Sequence, residues 1–302
     1  MNLKPSPQLH RRHRRERVAK TLMTAMSWSI VAILVLILWR VIGAGTVAFD
    51  ASFWTTEYSP QSQPFNATTD NANDLATGVF DSIMYSVIML AVTMVFAVPI
   101  SLMAGIYLHE YARPGKVTNA IRTAVSNLAA VPSIVWGLLG LAIFVRFLSL
   151  GKNPLASGLT LGILVLPILI VSTEEALKTI PKEVRHASLA LGANRWQTIK
   201  SHVVPYAMPN ILTGQIVALA RAAGETAPLL LLGAGSYRAL IQYGLLEPGA
   251  ALQTRAYKLI LGAHEVDKAT GAGAIVILLI VTLSLNLTAI ILRQRLASKI
   301  KW

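Results

Sequence analysis

The chain reads as an all-α membrane protein with six transmembrane helices, and three features of the sequence predict it. Its 302 residues are 54% hydrophobic and only 14% charged, with a mean hydropathy of +0.56. That balance is too apolar for a water-soluble domain of this length. Six separate apolar stretches, 22–45, 78–107, 119–148, 155–173, 206–234 and 271–292, each reach the roughly 20 residues that a spanning helix needs. The gaps between them differ in character: 46–76 is polar, with Asp50, Asp70 and Asp74, whereas 174–205 is amphipathic and basic. Segments on opposite sides of a bilayer differ in this way.

Taken in order, the first apolar run follows Arg11, Arg12, Arg14, Arg15 and Arg17 and extends for about 24 residues. It is longer than the apolar core of a cleaved signal peptide and shows no A-x-A cleavage site, so it is expected to be a retained first helix. The second and third runs are long enough to tilt or kink. In the outer segment 235–270, the spacing of Leu252, Ala256, Leu259 and Ile260 predicts a short helix over about 251–261, forming a rim or cap. The expected organisation is a basic cytoplasmic tail over 1–21, a single transmembrane domain over 22–292 and a second basic tail over 293–302.

Orientation follows from the basic residues. With the N-terminus inside, 19 of the 27 Lys and Arg fall in cytoplasmic segments, seven fall outside, and Arg221 sits within a span. This is the positive-inside bias, and an even number of spans returns the C-terminus to the cytoplasm. The net charge of +13 therefore reflects topology, because its residues gather between and beyond apolar runs instead of on a solvated module. Nucleic acid is not an expected partner.

Several chemistries are excluded. Cysteine is absent, which removes disulfides, thiolate metal sites and a cysteine nucleophile together. No G-x-x-x-x-G-K-S/T occurs, so the chain has no P-loop for ATP and energy must come from a partner. His109-Glu110 and His264-Glu265 each lack the second histidine of H-E-x-x-H and read as interfacial or loop residues. Ser133 has no evident base nearby in sequence. A non-catalytic chain with no cofactor or metal of its own is expected.

Two segments carry specific chemistry. In the 174–205 loop, Pro181 suits the first turn of a helix, and Val184, Ala187 and Leu191 then form an apolar stripe, with Lys182, Arg185 and His186 elsewhere. Gly192 permits a turn before a second short helix. Such an element either lies on headgroups or docks on a partner. In the fifth span, Arg221 and Glu225 stand in the run Ala218-Leu219-Ala220-Arg221-Ala222-Ala223-Gly224-Glu225-Thr226-Ala227-Pro228. An ionised Arg at mid-membrane costs roughly 2.5–3.5 kcal/mol on insertion scales, so it must face protein or a water-filled cavity. Glu225, four residues on, falls on the same helix face, and Pro228 can kink the helix. The pair either holds helices together or serves a ligand. A guanidinium's paired donors suit phosphate or another tetrahedral oxyanion, and the carboxylate neutralises it when the site is empty, which favours release. Ser133 and Thr226 are lesser candidates, since Ser and Thr in membrane helices more often bond their own backbone.

The loop resembles the E-A-A-x-x-x-G-(x)9-I-x-L-P segment of the permease subunits of ABC importers. His186-Ala187-Ser188 stands at E-A-A, Gly192 at the glycine, and His202, Val204 and Pro205 at the last positions. The Arg221 to Pro228 run and Ala130-Val131-Pro132-Ser133-Ile134-Val135-Trp136-Gly137 resemble phosphate ABC permeases of the PstA type. The resemblance covers most of the chain from about residue 78. It implies a type I importer fold with cytoplasmic coupling helices, in a bacterial cytoplasmic membrane. It also implies a sister permease PstC, a PstB ATPase dimer that binds ATP and Mg, and a phosphate-binding protein PstS. By that analogy Glu183, His186, Ala187, Ser188, Gly192 and Pro205 face the ATPase, and Arg221 lines the phosphate route with Glu225, Thr226 and Ser133. A permease for molybdate or sulfate, and a membrane scaffold that senses phosphate without moving it, are the competing readings.

Overall fold

The computed structural model describes residues 7–46, 49, 53–54, 79–232, 244–261 and 265–299. Its elements are helical. The first, α1 (Pro7–Thr46), is continuous and so begins well before the predicted span. Arg, Lys, Glu and Gln are good helix formers and no Pro or Gly interrupts residues 8–42, so most of the expected basic tail winds into the same helix. Gly45 near its C-terminal end lies so close to Ala272 and Gly273 that a Cβ would come within 3.1 Å of their backbone. Leu22, Trp28 and Trp39 are exposed and left uncovered by this chain. Of the polar segment 46–76, nearly all lies outside the described residues, as do 233–243 at the end of the predicted fifth span.

The second run forms α2 (Phe80–Ile106), closed by a π-helical turn at Tyr107–Tyr111. The third run, 119–148, was expected to be long enough to tilt or kink. It forms two helices, α3 (Lys116–Leu128) and α4 (Ser133–Gly140, extended by a π turn over Leu141–Phe147), bent by 98°. Pro132 explains the place of the break: in a continuous helix its ring would clash with the carbonyl four residues back, and Leu128 is where α3 ends. The fourth run is α5 (Pro154–Lys178), started by Asn153, whose side chain accepts from the Ala156 N–H at 2.8 Å.

After α5 come α6 (Lys182–Ala190) and α7 (Arg195–Thr198), the latter continuing through a π turn at Ile199–Val203 into α8 (Val204–Gly224). The fifth run then breaks as the third does. Pro228, four residues beyond Gly224, forbids continuation, and the chain restarts as α9 (Ala227–Leu232) with that proline in its first turn. The predicted short helix is present as α10 (Leu252–Ile260), and α11 (Glu265–Lys299) ends the described chain. Among the described residues five helices are long and apolar enough to cross a membrane, or six where the bent α3–α4 pair counts as one span. The chain is a multi-pass membrane protein.

The centre is the parallel pair α2 and α5. Close approach depends on glycine: a Cβ at Gly158 would lie 2.7 Å from the Met89 carbonyl oxygen, one at Gly162 2.6 Å from the Phe96 ring, and one at Gly105 2.7 Å from the Thr173 side chain. Gly158 and Gly162 have the small-xxx-small spacing that lets membrane helices touch. Polar side chains then bind the helices where lipid offers no alternative partner. Tyr85 Oη and Ser157 Oγ share a hydrogen bond of 2.8 Å, and the Gln215 amide of α8 donates to Thr173 Oγ1 at 3.0 Å and to Ser101 Oγ at 3.3 Å. Gly158→Val should overpack this seam at a cost of about 1–3 kcal/mol. The expected result is a several-fold fall in membrane abundance on a quantitative blot, with Gly43→Val on α1, where a Cβ meets nothing within 4 Å, a much milder control.

These contacts fix two ends. Tyr85, Ser86, Ser157 and α10 lie at one, where the Leu155 N–H donates to the Leu245 carbonyl at 3.1 Å. The C-terminal ends of α2 and α5 lie at the other, beside α6, around a core of Ala176, Leu177, Ile180, Val203, Ala207 and Ile211.

Candidate functional site

The two proline breaks face each other. Gly137 in α4 packs directly on Pro228, so that a Cβ there would come within 2.6 Å of the Pro228 Cα. Trp136 shares a buried cluster with Ala218 and Ala222 of α8. The stretches 130–137 and 218–228, more than 80 residues apart in sequence, thus form one piece of structure. Arg221 occupies the last turn of α8, where the unpaired carbonyls of a helix C-terminus favour a cation. Its Nε lies 3.4 Å from Glu225 Oε1.

Two details differ from the sequence expectation. Glu225 is not on the helix: it is the residue just past its end, with extended backbone (φ −73°, ψ 115°). Nor is the pair enclosed by this chain, since the Arg221 side chain is 59% exposed against 16% for Glu225. A guanidinium on the surface of a membrane-spanning segment must meet water or another protein instead of hydrocarbon, so the arrangement presents it outward to whatever completes the site. Thr226 uses its hydroxyl on the Gly224 carbonyl, at 3.5 Å, in the manner expected of hydroxyls bonding their own backbone. Ser133 begins α4 and is half-buried.

At the opposite end, Pro181 is the N-cap of α6, one residue before the helix. The predicted stripe is split. Val184 packs inward on the Ile180 core, whereas Ala187 is exposed and Leu191 is 90% exposed. Ser188 is buried, sharing a 2.9 Å hydrogen bond with Thr198 Oγ1, so it braces α6 against α7 from within. Glu183, His186, Gly192, His202 and Pro205 are exposed. Gly192 has φ +87°, the left-handed conformation that ends a helix cheaply only in glycine. The next helix starts at once with a capping box, Asn194 and Gln197 each accepting the other's backbone N–H at 2.8 Å.

Residues 97–302 match the family model described as the binding-protein-dependent transport system inner membrane component. The chain belongs to this family. The chain is 32% identical over 285 residues to the phosphate transport system permease protein PstA 1 of Mycobacterium tuberculosis, covering 92% of this chain and 90% of that one. It is 39% identical over 166 residues to the probable ABC transporter permease protein YqgI of Bacillus subtilis, and there it spans only about half of each protein, 55% of this chain and 56% of the relative. In fold it is similar to a chain of a bacterial ABC transporter involved in import of the acidic polysaccharide alginate (TM-score 0.62, 16% identity, 94% and 99% of the two chains). It is also similar to one from inward-facing MetNI methionine ABC transporter (0.57, 19%, 72% and 97%). The chain is an ABC importer permease in fold, a transport subunit and not a catalytic one.

In this family member the α6 segment is held by charges that sequence reading passed over. Arg185 donates to Glu110 through Nη2 at 2.7 Å and Nε at 3.1 Å, and to the Leu177 and Ile180 carbonyls at 3.1 and 2.7 Å. It therefore joins α6 both to the turn that ends α2 and to the open C-terminus of α5. Beside it, Arg122 of α3 pairs with Glu174 of α5 at 2.8 Å and donates to the Leu108 carbonyl at 2.7 Å. His109-Glu110, expected to be interfacial or loop residues, lie in the π turn that ends α2, and the Glu110 side chain is only 9% exposed. The available signal was the scarcity of acids: a chain with 14 Asp and Glu that ends two apolar runs on Glu110 and Glu174 is placing them against partners.

Proposed function

We propose that this chain is the permease subunit of an ATP-driven importer of inorganic phosphate, working by alternating access in a bacterial cytoplasmic membrane with both termini inside. The observation that carries the reading is the outward-facing Arg221–Glu225 pair at a proline break, in a chain that aligns over 92% of its length with a phosphate transport permease. The positive-inside charge bias supports the orientation. The partners are a PstC-type sister permease, which closes the site around Arg221, a PstB-type ATPase dimer carrying ATP and Mg, and a PstS-type binding protein that delivers phosphate from outside. In this reading ATP and Mg sit on the ATPase and not on this chain. It is a single transmembrane domain over 22–292, with short basic termini.

The exposed residues Glu183, His186, Ala187, Gly192 and Pro205 meet the ATPase, and Ser188 stiffens the element from inside. Closure of the ATPase on ATP pushes α6, which moves α2 and α5 through Arg185. The cavity opens outward, and phosphate is received against Arg221, with Thr226 and Ser133 at its margin. Hydrolysis reverses the state. Each ligand shifts this equilibrium only by its differential affinity for the two states.

The test is ATP-dependent uptake of radiolabelled phosphate in a strain carrying this chain with its three partners. Uptake competed by unlabelled phosphate and not by sulfate or molybdate at tenfold excess supports the reading. Competition by sulfate or molybdate makes it a permease for another oxyanion, and binding without accumulation makes it a sensor.

A further inference from the structure

A short run of hydrogen bonds ties α10 to the break in the fifth span. Gln253, 3% exposed, donates its amide N–H to the Ala223 carbonyl. Its amide oxygen accepts from Ser86 Oγ of α2 at 3.3 Å, and the same hydroxyl accepts the Leu252 backbone N–H at 2.8 Å. Each end of this run satisfies a group that helix geometry leaves unpaired: Leu252 opens α10 with an orphan N–H, and Ala223 closes α8 with an orphan carbonyl. Ala223 is fully buried, so water does not stand in for the Gln253 amide. The neighbouring carbonyl of Ala222 takes the Glu225 N–H at 3.2 Å. Gln253 therefore caps a carbonyl of the turn that carries Arg221 and leads directly into Glu225.

We propose that Gln253 is a positioning residue that makes the placement of Arg221 and Glu225 follow the position of α10. The first turn of α10 is buried, while Tyr257 and Leu261 at its far end are 47% and 67% exposed. A protein that docks on that end tilts the helix, and the buried turn passes the motion to the break. An α10 that moved alone would strip the Ala223 carbonyl of its partner inside the protein, which is costly. The inference rests on the phosphate reading only for the identity of the substrate.

Gln253→Met keeps the volume and removes both hydrogen bonds; Gln253→Glu keeps the acceptor and loses the donor. With the complete transporter, both are expected to lower maximal phosphate uptake at least tenfold at membrane abundance within twofold of wild type. The concentration of loaded binding protein giving half-maximal uptake should stay within twofold, and ATP hydrolysed per phosphate moved should rise. The chain has no cysteine, so Val217→Cys with Leu261→Cys can be spin-labelled selectively; both positions are exposed. The interlabel distance distribution should be narrow with Gln253 in place and broad or bimodal in the Gln253→Met variant. Unchanged uptake and unchanged distances overturn the proposal, as does a loss of uptake that merely tracks a loss of abundance. If the wild-type transporter moves no phosphate, the substrate reading fails, and the distance measurement still decides the role of Gln253.

Discussion

Arg221→Gln is expected to lower phosphate uptake by about 10- to 100-fold at unchanged abundance and unchanged ATPase docking. A hydrogen bond to a charged group is worth roughly 1.5–3 kcal/mol, and each 1.4 kcal/mol is about tenfold. The fold should survive, because Arg221 projects from the surface of α8 and its exposed pairing with Glu225 adds little to stability. Arg221→Lys keeps the charge and loses the planar donor fork, so it should fall between wild type and Gln. Glu225→Gln should behave differently: without its neutralising neighbour the guanidinium holds the anion longer, lowering both turnover and the half-saturating phosphate concentration. If Arg221→Gln leaves uptake intact, the pair is structural. Vesicle uptake with abundance measured on the same samples separates these outcomes.

How far the sequence foretold this site depends on the range of the interactions. The helices were legible because apolar runs of spanning length have few alternatives, and the short helix at 252–260 because its spacing is local. The proline breaks were half legible. Pro228 was expected to kink the fifth span, yet the consequence that Glu225 leaves the helix depends on the carbonyl of Gly224, and the same arithmetic for Pro132 splits the third run at Leu128. That the breaks meet at Gly137 and Pro228 could not be read at all, since periodicity within a helix does not say which helices are neighbours. The stripe expected on α6 failed for the opposite reason. Counting apolar residues selected Leu191, which is exposed, and passed over Arg185 and Ser188, whose partners Glu110 and Thr198 lie on other elements. Gly158 and Gly162 were not singled out from the sequence, and their role in bringing α5 onto α2 shows only in the packing.

Arg185 makes the second large effect predictable. Removing one partner of a buried ion pair costs roughly 3–5 kcal/mol, because the other charge is left uncompensated. With Arg185 17% exposed and Glu110 9%, the lower end of that range applies. Arg185→Met strands the Glu110 carboxylate and also uncovers the Leu177 and Ile180 carbonyls, so α6 loses its hold on α2 and α5 while its exposed ATPase-facing residues stay in place. The expected phenotype is uncoupling: ATP hydrolysis by the assembled transporter stays within about threefold of wild type while phosphate uptake falls at least tenfold. Adding Glu110→Gln should restore part of the lost stability and uptake, because the double variant buries no unpaired charge and two residues in contact are not additive. Recovery would be incomplete, since the two carbonyls remain uncapped. Measured as a double-mutant cycle on both uptake and thermal inactivation, additive losses would mean that Arg185 acts through the carbonyls alone, and equal losses of ATPase and uptake would mean that it holds the subunit together without transmitting motion.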